Sequence, residues 1–440
     1  MIDDSSLRSA DPKLADLLKA ETQRQRQGLE LIPSENYVSG AVLEALGSVF
    51  TNKYAEGYPG RRYYGGQVYT DQIEQVAIDR AKQLFGADHV NVQPLSGAPA
   101  NLAVYFAWCD PGDTILAMDL SHGGHLTHGA PVTVAAKLFN FVHYGMKSVE
   151  TGEIDFDQVR TLAKKHRPKI LLVGYSSYPR ELDYQQFANI AAEVGAVAMA
   201  DIAHPAGLIA AGLLQNPLRH GFQVVTSTTH KTLRGPRGGL ILTMGEVSNP
   251  LKAPPKMVAN LPTLIDRIVF PGFQGGPHMN VILAKALAFG EALRPEFKTY
   301  ARQVIKNAKR LATELMKRGF KLVTNGTDNH LMVIDVQSSF GISGGQAEAV
   351  LDRIGLTANK NVIPNDDRPA FDPSGLRLGT PAITTRGMAE SDMTQIADWI
   401  ELAIRKQEDS RLLRKLSREV AEFSLKYPLP SDSRNRVYNQ

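Results

Sequence analysis

The sequence predicts an α/β protein with a mainly parallel, doubly wound sheet in a large domain and a smaller α+β domain at the C-terminal end. Two observations lead to this fold class. Short apolar and β-branched segments, typical of buried strands, alternate with helical segments, which is the pattern of a parallel sheet covered by helices. At 440 residues the chain also exceeds the length that one hydrophobic core usually supports. The predicted strands include DTILAMDL, PKILLVGY, GAVAMADIAH, FQVVTSTTHK and GGLILTM, and YQQFANIAAEVG is a helix between two of them.

Helical patterns also suggest the domain boundaries. Residues from about Asp11 to Leu31 have a polar-rich helical pattern, and a long helical region from Val281 to Arg318 is interrupted at Pro295. Beyond it, strands are predicted near residues 331–336 and 376–378 among helices, which is typical of an α+β domain. We therefore expect a helical arm at residues 1–30, a large domain at 31–292 and a small domain at 293–440.

Composition places the chain among ordinary globular proteins and argues against several functions. Apolar residues make up 43% and charged residues 21% of the chain, close to typical soluble domains. The net charge of +4 is spread over the whole chain without a run of Lys or Arg, so no nucleic-acid partner is expected. No apolar segment reaches the ~18 residues of a membrane span, so no membrane partner is expected either. The single cysteine, Cys109, lies in an apolar segment and allows no intramolecular disulfide, which favours a core position and a cytoplasmic protein.

The most informative segment is VVTSTTHKTLRGPRGG, in which Lys231 follows an apolar strand. Thr228 and His230 beside it predict a polar pocket that faces a ligand. A lysine that forms a Schiff base must attack as a neutral amine, and burial beside other cations lowers its pKa. Arg234 and Arg237 are candidates for those cations. An ordinary surface lysine is the alternative.

An acid and a histidine lie at the end of another predicted buried strand, in MADIAHPAG. Ligands of open α/β sheets bind at this edge. Asp201 is our candidate for a carboxylate that keeps the pyridine nitrogen of pyridoxal phosphate protonated, so that the ring can accept electrons from a substrate carbanion. His204 is a candidate for contact with the phenolic oxygen of that cofactor or with a substrate. A metal site or a capped strand end is the alternative for this pair.

Two glycine-rich segments are candidates for binding a phosphate. In QPLSGAPAN, Ser96 and Gly97 lie at a strand-to-helix turn, where the backbone N–H groups of a helix start favour an anion. In FPGFQGGPHMN, Gly275 and Gly276 precede a long helix and would complete the site. Neither segment is specific by itself, because many α/β proteins have such turns and the second segment can be simply a tight connection.

Three histidines in DLSHGGHLTHG lie within seven residues, directly after a predicted strand. Zinc binding is one interpretation, but no cysteine or acid accompanies these histidines at the spacing of metal ligands. We favour the other interpretation, in which His125 lies on a Gly-rich loop and stacks on a flat ring. No metal is therefore predicted.

Arg377 lies within a short apolar strand, in SGLRLGTPAIT. Burying a guanidinium is costly unless it meets a carboxylate or a phosphate. Two parallel hydrogen bonds from Arg377 could hold the α-carboxylate of an amino-acid substrate, and a surface salt bridge is the alternative. The other unusual segment is the loop from Asn52 to Gly66, which is rich in Gly, Tyr and charge and is costly to order without a function.

Together these segments resemble the serine hydroxymethyltransferase family, which consists of fold-type I enzymes that depend on pyridoxal phosphate. The likeness runs from about Leu29 to Arg386, most of the chain, with its blocks in the order of that family. The resemblance implies reversible transfer of the hydroxymethyl carbon of serine to tetrahydrofolate, giving glycine and 5,10-methylenetetrahydrofolate. The blocks are LIPSENYVS, TNKYAEGYPGRRYYGG, NVQPLSGAPAN, SHGGHLTHG, DIAHPAG, TTHKTLRGPRGG, FPGFQGGPH, NKNVIPND and SGLRLGTPAITTRG.

For the cofactor, the resemblance implies that Lys231 forms the covalent link and that Asp201 pairs with the pyridine nitrogen. It also implies that His125 stacks on the ring and that His204 lies near the phenolic oxygen. The remaining positions expected to act at the cofactor are Ser96, Gly97, Thr228 and His230.

For the substrates, the resemblance implies that Arg377, with Ser34, holds the carboxylate of serine or glycine. Glu56 would manage protons at the serine hydroxyl and at the folate, and Tyr64 would position the substrate. The implied folate contacts are Leu120, Gly124, Leu126, Asn361 and Phe371.

The resemblance also implies shared active sites. Tyr54 would contact the cofactor phosphate of a neighbouring subunit, and Gly275 and Gly276 would contribute N–H groups across the same interface. We therefore expect a homodimer or a higher homo-oligomer.

Two positions depart from the family pattern. Ala98 stands where the family usually has a serine whose hydroxyl group bonds the cofactor phosphate. The missing charge-assisted hydrogen bond would weaken cofactor binding by roughly 1–3 kcal/mol if nothing replaces it, so Ser96 and the Gly97 amide would have to suffice. Asn280 stands where many members have a histidine.

Two other functions stay open from the sequence. A pyridoxal-phosphate aldolase that cleaves threonine or other β-hydroxy amino acids without folate would use the same lysine, aspartate and arginine, and only the requirement for folate separates it from the first interpretation. A catalytically silent protein that regulates RNA or a partner through a basic surface is the second alternative. The presence of Lys231, Asp201, Arg377 and Glu56 argues against it.

Overall fold

The computed structural model describes residues 5–245 and 261–432, which form fifteen strands and seventeen α-helices. The strands are β1 (Leu29–Glu30), β2 (Gly57–Tyr58), β3 (Arg61–Arg62), β4 (His89–Asn91), β5 (Thr114–Met118), β6 (Asn140–Tyr144), β7 (Ile170–Gly174), β8 (Val197–Asp201), β9 (Val224–Thr228), β10 (Gly239–Thr243), β11 (Lys321–Leu322), β12 (Leu331–Asp335), β13 (Leu356–Thr357), β14 (Asn359–Asn361) and β15 (Gly375–Gly379). The helices are α1 (Ser5–Ala10), α2 (Pro12–Gln27), α3 (Gly40–Leu46), α4 (Val68–Phe85), α5 (Gly97–Trp108), α6 (Val134–Leu138), α7 (Phe156–His166), α8 (Tyr184–Val194), α9 (Ala206–Ala210), α10 (Leu261–Arg267), α11 (Met279–Ala292), α12 (Pro295–Lys317), α13 (Val336–Phe340), α14 (Gly344–Arg353), α15 (Pro381–Thr385), α16 (Glu390–Arg405) and α17 (Ser410–Ser424).

A seven-stranded sheet has the strand order β4-β10-β9-β8-β7-β5-β6. From β9 through β8, β7 and β5 to β6 each neighbouring pair is parallel, whereas β10 is antiparallel to both β9 and β4. The predicted α/β class with a mainly parallel sheet is therefore confirmed. Its cause is visible in the sequence, since every residue of β7, β8 and β9 is buried, as expected for strands covered on both faces.

The described residues divide into two compact units, and this division differs from the expected domain boundaries. One unit is drawn from Met1–Gly40 and Gln303–Gln440, and the other from Ala41–Arg302. The N-terminal arm does not form a domain by itself, because β1 pairs with β13 in parallel and Leu29 and Leu31 belong to the core of the first unit. The boundary after residue 302 falls inside α12 instead of before it.

Most predicted elements are confirmed, and those that the sequence analysis missed are short or polar. The helix pair separated at Pro295 is present as α11 and α12, and the two strands predicted in the C-terminal region are β12 and β15. They lie in a four-stranded antiparallel sheet with the order β11-β12-β15-β14. The missed strand β14 has the sequence NKN, and the missed strand β6 has the sequence NFVHY, so neither has a continuous apolar pattern.

Two predictions from composition can also be compared with the structure. Cys109 is buried, as expected. Among the helices of residues 5–245 and 261–432, none combines the length and the apolar character that crossing a bilayer requires.

Arg386 joins the ends of two helices in the first of these two units. Its guanidinium is buried, and burial lowers its pKa. The carbonyl groups at a helix C-terminus lack intrahelical partners and carry partial negative charge. Arg386 donates hydrogen bonds of 2.6–3.0 Å to five such carbonyl groups near the ends of α2 and α17, those of Gln25, Arg26, Gly28, Ser424 and Tyr427.

Replacing Arg386 with Met should lower the free energy of unfolding of this unit by at least about 3 kcal/mol, because several buried carbonyl groups lose their donor at roughly 1–3 kcal/mol each. Urea unfolding can be followed by the fluorescence of Trp399 in a Trp108→Phe background, since these are the two tryptophans of the chain. Arg414→Met, at an exposed position of α17, is the matched control and should stay within about 0.5 kcal/mol of the parent. Equal urea midpoints for the two variants would contradict the role assigned to Arg386.

Candidate active site

Asp201 is the last residue of β8, at the edge where parallel sheets bind their ligands. Its buried carboxylate accepts hydrogen bonds from Asn101 Nδ2 at 2.9 Å and from the backbone N–H of Ala203 at 3.0 Å, and His128 Nε2 lies 3.2 Å away. Burial raises the pKa of this carboxyl group, but neighbouring His128 and His125, together with the hydrogen bond from Asn101, outweigh that effect and hold the pKa of Asp201 well below its usual range. Asp201 is therefore a buried anion that suits a protonated ring nitrogen.

The hydrogen bonds around His128 indicate its tautomer. His128 Nδ1 accepts the backbone N–H of His125 at 3.1 Å, so its proton is assigned to Nε2, which then donates to Asp201. The ligand atoms of His125, His128 and Asp201 lie within 4.8 Å of one another, a spacing that could also hold a metal ion. The proton on His128 Nε2 occupies the lone pair that a cation would need. The geometry therefore favours a hydrogen-bonded network over a metal centre.

Lys231 lies in the loop between β9 and β10 and is 8% exposed, unlike an ordinary surface lysine. The loop is closed by hydrogen bonds from Arg234 N to Lys231 O at 3.0 Å and from Gly235 N to Thr229 O at 2.7 Å. Because β9 is the parallel neighbour of β8, the lysine loop and Asp201 lie at the same edge of the sheet. Thr232 Oγ1 also donates to the carbonyl oxygen of buried His204 at 2.6 Å, which ties this loop to the segment after Asp201.

The cations near the lysine loop differ in part from those that the sequence suggested. The guanidinium of Arg234 lies 4.5 Å from the ring centroid of Tyr300, where the aromatic face holds its charge. Burial lowers the pKa of His230 to about 3, with further contributions from the charges of Lys231, Arg237 and Lys285. His230 is therefore neutral at physiological pH. Its buried Nδ1 has no hydrogen-bond partner among the described residues and can accept a bond from a ligand.

Ser96 and Gly97 lie at the start of α5, a helix of twelve residues with Ser96 at its N-cap. A Cβ atom on Gly97 would lie 2.8 Å from Thr228 Cγ2, and one on Gly239 would lie 2.4 Å from the carbonyl oxygen of Ser96. The turn therefore packs directly against the end of β9 and the start of β10, and only glycine fits at both positions. The N–H groups of the helix start provide an anion site there, which fits a phosphate group close to the lysine loop.

A second group of predicted residues lies on the loop from Asn52 to Gly66 and on the segment before α11. Tyr54 Oη donates to Glu56 Oε1 at 3.2 Å, and the rings of Tyr54 and Tyr64 lie 5.1 Å apart. A Cβ atom on Gly275 would lie 3.3 Å from Glu56 Oε1, and one on Gly276 would lie 3.2 Å from the Tyr54 ring. Tyr54 is 52% and Tyr64 48% exposed. The structure thus brings these five residues together on one exposed surface.

Arg62 orders this polar loop. Its buried guanidinium donates to Asp71 at 2.8 Å and to Glu74 at 2.6 Å on α4. It also donates to the carbonyl oxygens of Ala55 and Gly57 within the loop, both at 2.9 Å. Arg62 therefore helps to anchor the loop that carries Tyr54, Glu56 and Tyr64 to α4, together with the bond from the backbone N–H of Gly60 to Asp71 at 2.9 Å.

In the other unit, Arg377 occupies the middle of β15, between β12 and β14, and is 8% exposed. Burial lowers its pKa to about 10, so it remains a cation at neutral pH. Its Nε donates to Asn359 Oδ1 at 3.1 Å. The backbone N–H of Gly379 donates to the carbonyl of Leu31 at 2.7 Å, which places the segment leading to Ser34 at the end of the same strand.

The expected folate contacts are divided between the two units. Leu120, Gly124 and Leu126 follow β5 in the unit that contains Lys231, and Leu126 is largely exposed. Asn361 lies at the end of β14, and Phe371 is an exposed side chain in the unit that contains Arg377.

Sequence analysis missed the residues that support Asp201. Asn101 is buried in the otherwise apolar helix segment NLAVYFAW, and this isolated amide was the available signal. Its Nδ2 donates to Asp201, and its Oδ1 accepts the hydroxyl proton of Thr226 at 2.6 Å. His128 was noticed in the sequence, but its partner could not be identified from spacing.

The arrangement can hold a phosphate at a helix start, an electron-poor ring against a buried carboxylate and a carbonyl group at a buried lysine. These features fit pyridoxal phosphate. Comparison with known proteins agrees, since the model of the family described as "Serine hydroxymethyltransferase" matches residues 7–400. A serine hydroxymethyltransferase of Nostoc punctiforme is 54% identical over 423 residues, which cover 96% of this chain and 95% of that protein, and one of Nostoc sp. has the same identity and coverage. The chain belongs to the serine hydroxymethyltransferase family.

Proposed function

We propose that this protein catalyses the reversible transfer of the hydroxymethyl carbon of serine to tetrahydrofolate, giving glycine and 5,10-methylenetetrahydrofolate. The observation that carries the proposal is a buried lysine in the loop after β9 and a buried aspartate at the end of the neighbouring parallel strand β8. The two residues lie in a chain that matches the family over nearly its whole length.

Pyridoxal phosphate, when bound, supplies a ring that can store the negative charge left by cleavage of a bond to the substrate Cα. Lys231 is the residue that holds it covalently. Asp201, as an anion, would keep a proton at the ring nitrogen, and His125 would stack on the ring. The N–H groups at Ser96 and Gly97 bind the phosphate. The remaining cofactor-pocket residues in this proposal are Thr228, His204 and His230.

Arg377, with Ser34, binds the α-carboxylate of serine or glycine in this proposal. The guanidinium remains charged although it is buried, which suits a bidentate contact to a carboxylate. Glu56 accepts the proton of the serine hydroxyl group as the Cα–Cβ bond breaks, and Tyr64 positions the substrate. Leu120, Gly124, Leu126, Asn361 and Phe371 are the proposed contacts of the folate.

Shared active sites in a homo-oligomer also belong to the proposal. The three residues expected to serve a neighbouring subunit, Tyr54, Gly275 and Gly276, lie in contact on an exposed surface of their own chain. Such a surface is suited to completing a site on another copy. A cytoplasmic location stays a prediction.

Two findings weigh against the alternatives. The relatives that match over almost the full length are named serine hydroxymethyltransferases, which favours transfer to folate over a folate-independent aldolase. The burial of Lys231, Asp201 and Arg377 disfavours a catalytically silent binding protein, because burying charged groups is costly and is typical of functional sites.

Replacing Lys231 with Gln should abolish the visible absorbance of lysine-linked cofactor, because an amide cannot form the covalent link. The wild-type protein, reduced with borohydride in the presence of pyridoxal phosphate and digested, should carry the cofactor on the peptide containing residue 231. Lys137→Gln, at an exposed position on α6, should be labelled like the wild type. The assignment would be refuted if the Lys231→Gln and Lys137→Gln variants both carried the cofactor on the same lysine at a position other than 231.

Serine cleavage should depend on tetrahydrofolate, because the departing carbon needs an acceptor. The measurement compares glycine formation from serine with and without tetrahydrofolate in holoenzyme, with threonine cleavage as a parallel assay. We expect rapid glycine formation only with the folate. A rate from serine that does not change when folate is omitted would support the aldolase instead.

Replacing Arg377 with Lys should raise the KM for serine by about 10- to 100-fold, because hydrogen bonds to charged groups contribute roughly 1.5–3 kcal/mol and lysine cannot form the bidentate pair. The absorbance of bound cofactor should be unchanged. Arg353→Lys, at an exposed position of α14, is the control and should keep the parental KM. An unaltered KM in the Arg377 variant would show that another group binds the carboxylate.

A further inference from the structure

Lys285 is a buried cation that no step proposed so far uses. It lies on α11 and is 1% exposed. Its Nζ donates to the backbone carbonyl oxygens of Val92 at 2.6 Å, Gly239 at 2.8 Å and Pro94 at 3.1 Å. An ammonium group has three N–H donors, so these three carbonyl groups engage all of them. The arrangement therefore requires the protonated form of the side chain.

Burying the positive charge of Lys285 at this position costs free energy. Burial lowers the pKa of Lys285 to about 7, and the negative charge of Glu74 opposes this effect. Gln93, which lies between two of the carbonyl partners, donates its side-chain amide to Glu74 at 2.7 Å. Removing an ammonium from water costs several kcal/mol, and most neighbouring positions on α11 are filled by apolar residues. This cost suggests a role for the cation beyond filling space.

The three carbonyl groups belong to the segments that form the cofactor pocket. Val92 and Pro94 follow β4 and lead directly into the turn at Ser96 and Gly97. Gly239 begins β10 and so ends the loop that carries Lys231. The backbone N–H of Gly239 also donates to the carbonyl of Pro94 at 2.9 Å. The ammonium group thus joins the segment that leads into the phosphate turn to the residue that ends the lysine loop.

The charge of Lys285 also acts on the lysine loop itself. It contributes to the lowered pKa of His230, the residue next to Lys231. A Cβ atom on Gly238 would lie 2.3 Å from Lys285 Cε. The side chain of Lys285 therefore packs directly against this loop. Removal of the charge should therefore raise the pKa of His230.

We propose that Lys285 is a positioning residue for the cofactor site, in which its ammonium group fixes the phosphate turn at Ser96 and Gly97 relative to the loop that carries Lys231. This inference rests on the proposed function, because it assumes that pyridoxal phosphate binds at these two segments. Lys285 itself contacts neither the cofactor nor a substrate in this proposal.

The test is binding of pyridoxal phosphate to the apoenzyme of Lys285→Met, which keeps an unbranched apolar side chain as far as Cε and removes the charge and the donors. The dissociation constant for pyridoxal phosphate should rise at least about tenfold, which is the effect expected when one hydrogen bond to a charged group is lost. The pH midpoint of the absorbance change of bound cofactor should move upward, because a positive charge near the loop is gone. A purely structural residue would not shift that midpoint.

Arg80→Met is the matched control. Arg80 Nη1 donates to the carbonyl of Ala286 at 2.6 Å, so it supports the same helix from α4 without contacting the phosphate turn or the lysine loop. This variant should lose thermal stability while keeping the parental cofactor affinity and spectral midpoint. Loss of affinity in both variants to the same degree would show that general loosening of α11, and not Lys285, is responsible.

Gly238→Ala disturbs the contact between Gly238 and Lys285 from the lysine loop. This variant tests the inference if Lys285→Met does not fold. The new methyl group should push Lys285 from its carbonyl partners and weaken cofactor binding in the same direction. Parental affinity and an unmoved midpoint in these variants would overturn the inference while leaving the proposed function intact. Failure of the wild-type apoenzyme to bind pyridoxal phosphate would instead overturn the proposed function, and the inference with it.

Discussion

The buried negative charge of Asp201 is the constraint on which the rest of the site depends. A carboxylate at this depth is stable only when donors surround it, and here the donors come from three separate segments, through Asn101 on α5, His128 after β5 and the backbone of Ala203. The parallel sheet makes this convergence feasible, because the carboxyl ends of β5, β8 and β9 lie at the same edge. The fold therefore sets the charge state of Asp201 before any ligand arrives.

Charged side chains that bind backbone carbonyl groups recur through the molecule. Arg62 anchors the loop bearing Glu56, Lys285 joins the segments around the lysine loop, and Arg386 joins two helix ends. In each case a cation with several donors replaces regular hydrogen bonding where the backbone turns away from a strand or a helix. Irregular segments in both units are thus ordered without adding strands or helices to the fold.

The sequence predicted the large sheet well and the polar networks poorly, for one physical reason. Strand β7 has no polar side chain, and β8 is apolar up to Asp201 at its end; this local pattern needs no knowledge of the partner. The bond between Asn101 and Thr226 joins residues far apart in sequence, as does the pairing of β1 with β13 that draws the N-terminal arm into the unit of the C-terminal residues. Lys231 and Asp201 were predicted because the chemistry demanded a lysine and an acid at strand ends. Lys285 was not, because a lysine within a helix carries no local sign of the three carbonyl groups that it meets.

The loop from Asn52 to Gly66 is a polar segment that is costly to order. Ordering a long polar segment costs roughly 1–2 kcal/mol per residue in backbone entropy, and Arg62 offsets only part of this cost through its few bonds. The loop nevertheless leaves two tyrosine rings about half exposed, beside the glycines that precede α11. Exposed, ordered aromatic side chains are typical of interface positions. A second copy that covered Tyr54 and Tyr64 would add to the stabilisation of the loop, which is the physical argument for the proposal of shared active sites.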